Sequence, residues 1–169
     1  PPAPPPPTPP PPPPALPPPP DPPQLPPPDH PAPAEKYPEP GRFTTISGYE
    51  WTSTEDGNNL HRNVLYRDGG DVASKMVPYT TAESFNPEKL WEWMEQYEKT
   101  TGGRVLALAH NGNMYNGIMF PVETNPDNGQ PFTAEYAKRS IRWEPLYEVT
   151  QIKGDGETHP KMSPDDEFA

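Results

Sequence analysis

The sequence predicts an α/β fold built from residues 41–169, behind a proline-rich tail over residues 1–40 that stays disordered. Three observations lead there. Of the 33 prolines, 25 fall in the first 40 positions and only eight in the rest. Beyond residue 41 the apolar pattern runs strand, polar excursion, helix, strand, helix, strand, an alternation that argues for βα units and a parallel sheet. Histidines and a glutamate stand where those strands end, and an α/β sheet collects its functional groups at the carboxyl ends of its strands.

In the tail, each proline removes a backbone donor and fixes one dihedral, which leaves solvated polyproline II as the physical default. Its Pro-x-x-Pro spacing suits SH3 or WW surfaces, but any polyproline run contains that pattern. The first folding element is a strand over residues 43–50, where Phe43-Thr44-Thr45-Ile46 is aromatic and β-branched and Glu50 closes the run. The turn formers Asp56-Gly57 and Asn58-Asn59 follow, then a short strand at Val64-Leu65-Tyr66. The clearest helix begins at Pro87, with Asn86 as its cap, Glu88 in its first turn and a stripe of Leu90, Trp91, Met94 and Tyr97; Gly102-Gly103 ends it. Residues 104–109, Arg-Val-Leu-Ala-Leu-Ala, form a continuous apolar run, as in a strand covered on both faces. A second helix is expected over residues 133–143, stopped by Pro145, and a third strand over residues 146–152.

Composition excludes several functions. The net charge is −11, of which Asp21, Asp29, Glu35, Lys36 and Glu39 in the tail account for −3, leaving −8 on the folded part. Such a surface repels phosphate backbones, so nucleic acid is not an expected partner. There is no cysteine, hence no disulfide, no thiolate metal site and no cysteine nucleophile; any metal must bind through His, Asp or Glu. The lack of cysteine fits cytoplasm and periplasm alike. No apolar run reaches the ~18 residues a membrane span needs.

Three of the four histidines lie beyond the tail: His61, His110 and His159. His110 follows the apolar strand and precedes Asn111-Gly112-Asn113, a loop that can turn its imidazole into a cleft. Glu50 ends the first strand, where a carboxylate needs a cation, an arginine or water; Arg62 and Arg142 are the arginines in reach by sequence, and on the residues alone salt bridge and metal site stand level. His61, before the second strand, gains weight only as a possible partner of Glu50. His159 and Glu157 stand with Lys153 and Asp155 in a glycine-punctuated loop after the third strand, four ionisable groups in seven residues. They are expected at the rim of the same cleft as catalytic or outer groups.

Several stretches together resemble a known family. Gly48-Tyr49-Glu50-Trp51-Thr52, Asn59-Leu60-His61-Arg62-Asn63-Val64, Ala109-His110-Asn111-Gly112-Asn113, and the long run from Trp143-Glu144-Pro145 to Glu157-Thr158-His159-Pro160 look like the domain-of-unknown-function 3604 family. That family is similar to the polymerase-and-histidinol-phosphatase superfamily of metal-dependent hydrolases. The resemblance covers residues 41–169 and has no counterpart for the tail. It implies part of a distorted (β/α) barrel with two or three divalent ions at the carboxyl ends of its strands. Glu50 matches the glutamate that bridges two ions, His61 the histidine after it, and His110 the histidine of a His-Pro-like motif in which Asn111 here replaces the proline.

The implied reaction is metal-assisted hydrolysis of a small molecule, such as a phosphate ester, with Zn, Mn or Fe as candidate ions for oxygen and nitrogen ligands. Each liganding histidine is expected to donate its second ring nitrogen to a carbonyl or carboxylate. The superfamily's opening His-x-His and closing Asp-x-His pairs do not occur in these 169 residues. The expectation is therefore an internal fragment that binds metal weakly and is inactive by itself. The rival expectation is a non-catalytic interaction module whose polyproline arm meets SH3 or WW partners.

Overall fold

A computed structural model describes residues 36–39, 41–112, 118–120, 123–125, 129–152, 154–155 and 161, with only the backbone given for residues 55, 154 and 155. Within them lie strands β1 (Gly48–Trp51), β2 (Arg62–Tyr66), β3 (Val105–Ala109), β4 (Leu146–Tyr147), β5 (Thr150–Gln151) and β6 (Gly154–Asp155). The helices are α1 (Gly70–Ala73), α2 (Pro87–Thr101) and α3 (Ala134–Trp143), and a 3-10 turn spans Glu55–Gly57. The architecture is mixed α/β. Most of the tail lies outside the described residues; Lys36 to Glu39 are exposed, and Glu39 bridges to Phe43 across a turn at Gly41.

Four strands form one sheet in the order β1-β2-β3-β4, while β5 and β6 make a separate ribbon. The sheet corrects the expectation of parallel strands. β1 runs antiparallel to β2, β2 antiparallel to β3, and only β3 and β4 are parallel. The polar excursion between β1 and β2 is a hairpin loop, its tip turned by Asp56 and Gly57 at positive φ. Leu60 N–H donates to Ser53 O across its base at 3.0 Å. A single βαβ unit, β3-α3-β4, supplies the parallel pair. Two strands are shorter than expected: β1 covers only the end of residues 43–50, and the third strand breaks at Glu148-Val149 into β4 and β5.

Helix α2 forms as its sequence signals require. The Asn86 side chain accepts from Glu88 N–H at 2.7 Å, Pro87 occupies the first turn, and Gly102 closes the helix at φ 73, a left-handed conformation that glycine adopts without penalty. Its buried stripe is Leu90, Trp91, Met94 and Tyr97. These residues pack against Trp51, Val64, Tyr66, Val105, Ala107 and Ala109 on one face of the sheet, with Trp143 of α3 closing the core. Burying Leu90 and Met94 completely contributes about 1.5–3 kcal/mol each.

β3 alternates buried and half-buried residues, so it is covered fully on one face rather than on both, because α2 and α3 pack on the same side. Gly48 in β1 lies so close to β2 that a Cβ there would stand 2.6 Å from the Val64 carbonyl oxygen. Among the described residues no helix is long and apolar enough to cross a membrane.

Candidate metal centre

The register of the sheet brings the candidate ligands together. Trp51, Arg62 and Ala109 occupy one cross-strand row, and Glu50, Asn63 and Leu108 the next. Strand side chains alternate between faces, so the first row points into the core with α2 and the second points away. His61 and His110 sit one residue outside the first row, joined by His110 N–H donating to His61 O at 3.4 Å. Their imidazoles therefore fall on the same face as Glu50.

Oε1 of Glu50 is 2.9 Å from Nδ1 of His61 and 3.1 Å from Nε2 of His110. The rings stand 5.8 Å apart, and one ligand atom from each of the three residues lies within 4.8 Å of the others. The imidazole side chains are 14% and 12% exposed and the carboxylate 43%, so the cluster opens to solvent through Glu50. Glu50 itself lies within β1 rather than closing it.

Both arginines that offered Glu50 a salt bridge are engaged elsewhere. Arg62 Nε pairs with Glu144 Oε1 at 2.9 Å, and Arg142 reaches Glu98 Oε2 at 2.6 Å. The Arg62 pair is interior, with both side chains 3% exposed or less; Trp91 Nε1 donates to the same carboxylate at 2.8 Å, and Arg62 Nη1 donates to Leu60 O.

The donor set suits a hard or borderline divalent cation: one carboxylate oxygen and two imidazole nitrogens, with no thiolate. Ligand bonds of ~2.0–2.2 Å place atoms sharing an ion ~3–4 Å apart, and the observed separations lie near that range.

The outer ring nitrogens do not meet the expected carbonyl or carboxylate. Nε2 of His61 lies 2.9 Å from Oγ1 of Thr54, and Nδ1 of His110 lies 2.9 Å from Nδ2 of Asn63. Hydroxyl and amide stand there because the hairpin loop folds Thr54 back over His61 and because Asn63 shares the sheet face of the cluster. Asn59 Oδ1 also accepts from the His61 backbone N–H at 3.2 Å.

The loop after His110 is held by a second polar group. Asn111 is 5% exposed and left-handed at φ 55. Its N–H donates to Glu148 Oε2 at 3.1 Å, and Gln151 Nε2 donates to that carboxylate at 2.6 Å and to Asn111 Oδ1. A proline at position 111 could supply neither the positive φ nor the N–H.

The geometry unites Glu50, His61 and His110. Glu157 and His159 lie outside the described residues, as do Lys153 and Asn113. Thr54, Asn63, Glu144 and Glu148 were not singled out by sequence reasoning. Asn63 alone carried a signal, as a polar residue directly before the apolar run Val64-Leu65-Tyr66.

The model of a family described as "Protein of unknown function (DUF3604)" matches residues 29–169. The match begins twelve residues before the boundary that composition suggests. No curated protein and no solved structure matches the chain.

Proposed function

This chain belongs to the DUF3604 family, and we propose that it is the metal-holding part of a hydrolase of the polymerase-and-histidinol-phosphatase type, acting on a small phosphate ester or a related substrate. One observation carries the reading. A glutamate in β1, a histidine just before β2 and another just after β3 offer ligand atoms within 4.8 Å of one another, while Arg62 and Arg142 are committed to other carboxylates.

Glu50, His61 and His110 would hold the ion, of the Zn, Mn or Fe class, and further positions would fall to water or to other protein donors. When bound, such ions acidify water and polarise a phosphoryl oxygen. The chain's own residues do the rest. The two half-enclosed imidazoles keep their ring planes through Thr54 and Asn63, Glu50 presents negative charge at the solvent-facing side, and Asn111 fixes the direction in which His110 leaves β3. His159 and Glu157 are proposed as substrate-side groups that hold or move a proton. The (β/α) barrel belongs to this proposal as well.

The test is metal content by elemental analysis, followed by a phosphatase and phosphodiesterase screen with added Mn or Zn. Zinc or manganese should be retained by the unaltered chain and lost in His110→Ala. Equal metal content in Glu50→Gln, His110→Ala and the unaltered chain would end the reading.

A further inference from the structure

We propose that Asn63 is a positioning residue that decides which nitrogen of His110 is offered to an ion, by turning its side-chain amide. This deepens the metal reading and rests on it. Nδ2 of Asn63 faces Nδ1 of His110 at 2.9 Å. An amide NH2 only donates, so Nδ1 accepts and the neutral ring carries its hydrogen on Nε2. That N–H points to Glu50 Oε1 at 3.1 Å. In this state the nitrogen nearest Glu50 is occupied by hydrogen and has no lone pair to give.

A half-turn of the Asn63 amide puts Oδ1 where Nδ2 stood, with the same shape. Oδ1 accepts from Nδ1–H, the hydrogen leaves Nε2, and the Nε2 lone pair faces the cluster. No proton is gained or lost by the ring in this exchange. His61 differs, because its outer nitrogen meets the Thr54 hydroxyl at 2.9 Å, and a hydroxyl both donates and accepts. Thr54 tolerates either form of its histidine; Asn63 must choose one. The backbone of Asn63 lies between Glu50 and Leu108 in the sheet, so the amide can turn without moving the strand. Partners of this kind change metal affinity ~10–100-fold when removed.

The experiment uses the 169-residue chain, zinc calorimetry, and nitrogen NMR of the histidine rings under alkaline conditions that keep them neutral, with His110 assigned from His110→Gln. Ion-free His110 is expected with hydrogen on Nε2, and zinc should move it to Nδ1. Asn63→Leu, which removes both donor and acceptor at similar volume, should weaken zinc ~10–100-fold, whereas Asn63→Asp, which keeps the acceptor, should bind at least as tightly as the unaltered chain. Undiminished zinc affinity in Asn63→Leu, or hydrogen already on Nδ1 without zinc, overturns the role of Asn63 alone. If Asn63→Leu does not fold, weaker zinc binding by Asn63→Asp does the same. Failure of the unaltered chain to take up zinc overturns the metal reading itself, and this inference with it.

Discussion

Replacing Glu144 with glutamine removes one charge from the interior and leaves another behind. Arg62 is 1% exposed, and its guanidinium meets Glu144 through Nε at 2.9 Å and Nη2 at 3.5 Å. Uncompensated, a buried guanidinium costs about 3–5 kcal/mol. Glutamine keeps an acceptor for Trp91 Nε1, so Glu144→Gln should fall at the low end, about 3 kcal/mol. In urea, with m of roughly 1.5 kcal/mol/M, that moves the unfolding midpoint down by about 2 M at unchanged slope.

The double variant Arg62→Met with Glu144→Gln removes both charges. It should recover most of the loss, since two ions no longer need to be desolvated. A midpoint shift under about 0.5 M for Glu144→Gln would show that the pair is screened by water. A double variant no more stable than the single one would show that shape, not charge, carries the effect.

Asn111→Pro should lower the melting temperature and the metal affinity together, because it removes the bond to Glu148 and forbids φ 55, while Asn111→Gly should spare the fold; equal melting curves would disprove the anchoring of this loop. Tyr66 has a buried hydroxyl without a hydrogen-bond partner among the described residues, and burial, then the neighbouring Tyr97, push its pKa well above 10.0. The neutral phenol is thus favoured in the fold, and its contribution, full below about pH 10, is lost as pH rises further. Tyr66→Phe should be neutral or stabilising by up to about 1 kcal/mol at pH 7, with an advantage that widens above pH 10 in urea titrations. His159→Ala should reduce turnover in the full-length, metal-loaded protein and leave metal content unchanged; unaltered turnover would return His159 to a solvated loop residue. Deleting residues 1–35 should leave the melting temperature within error, and a fall of several degrees would mean that the tail packs on the domain.

Local signals explain what the sequence makes legible. Asn86, Pro87 and the stripe from Leu90 to Tyr97 specify α2 because cap, proline and periodicity act within one helix. The apolar run ending at Ala109 marks β3 for the same reason. Strand direction is not local. Whether β1 and β2 are parallel depends on how the loop at Asp56-Gly57 folds back, and strands separated by a helix, such as β2 and β3, need not be parallel. The third strand keeps its ladder only as far as Glu148, whose N–H donates to Ala109 O at 3.2 Å, before the chain leaves the sheet for the β5-β6 ribbon. Glu50, His61 and His110 were joined through a family resemblance; their proximity follows from cross-strand register, which no single strand's pattern contains. Thr54 was invisible because its role depends on the hairpin loop.

The buried row Trp51–Arg62–Ala109 has a consequence for how this sheet finds its alignment. Sliding β2 by one residue would turn Arg62 out of the interior, strand Glu144 there without its cation, and push His61 and Asn63 toward the helix side. The interior ion pair thus acts as an indexing pin, penalising every off-by-one pairing more heavily than loss of apolar contact alone would. The cluster on the opposite face exists only in the indexed alignment. An ion that binds it selects that alignment over slipped ones and stabilises it by RT ln(1 + [L]/Kd), so cation uptake and correct strand pairing should report on a single equilibrium.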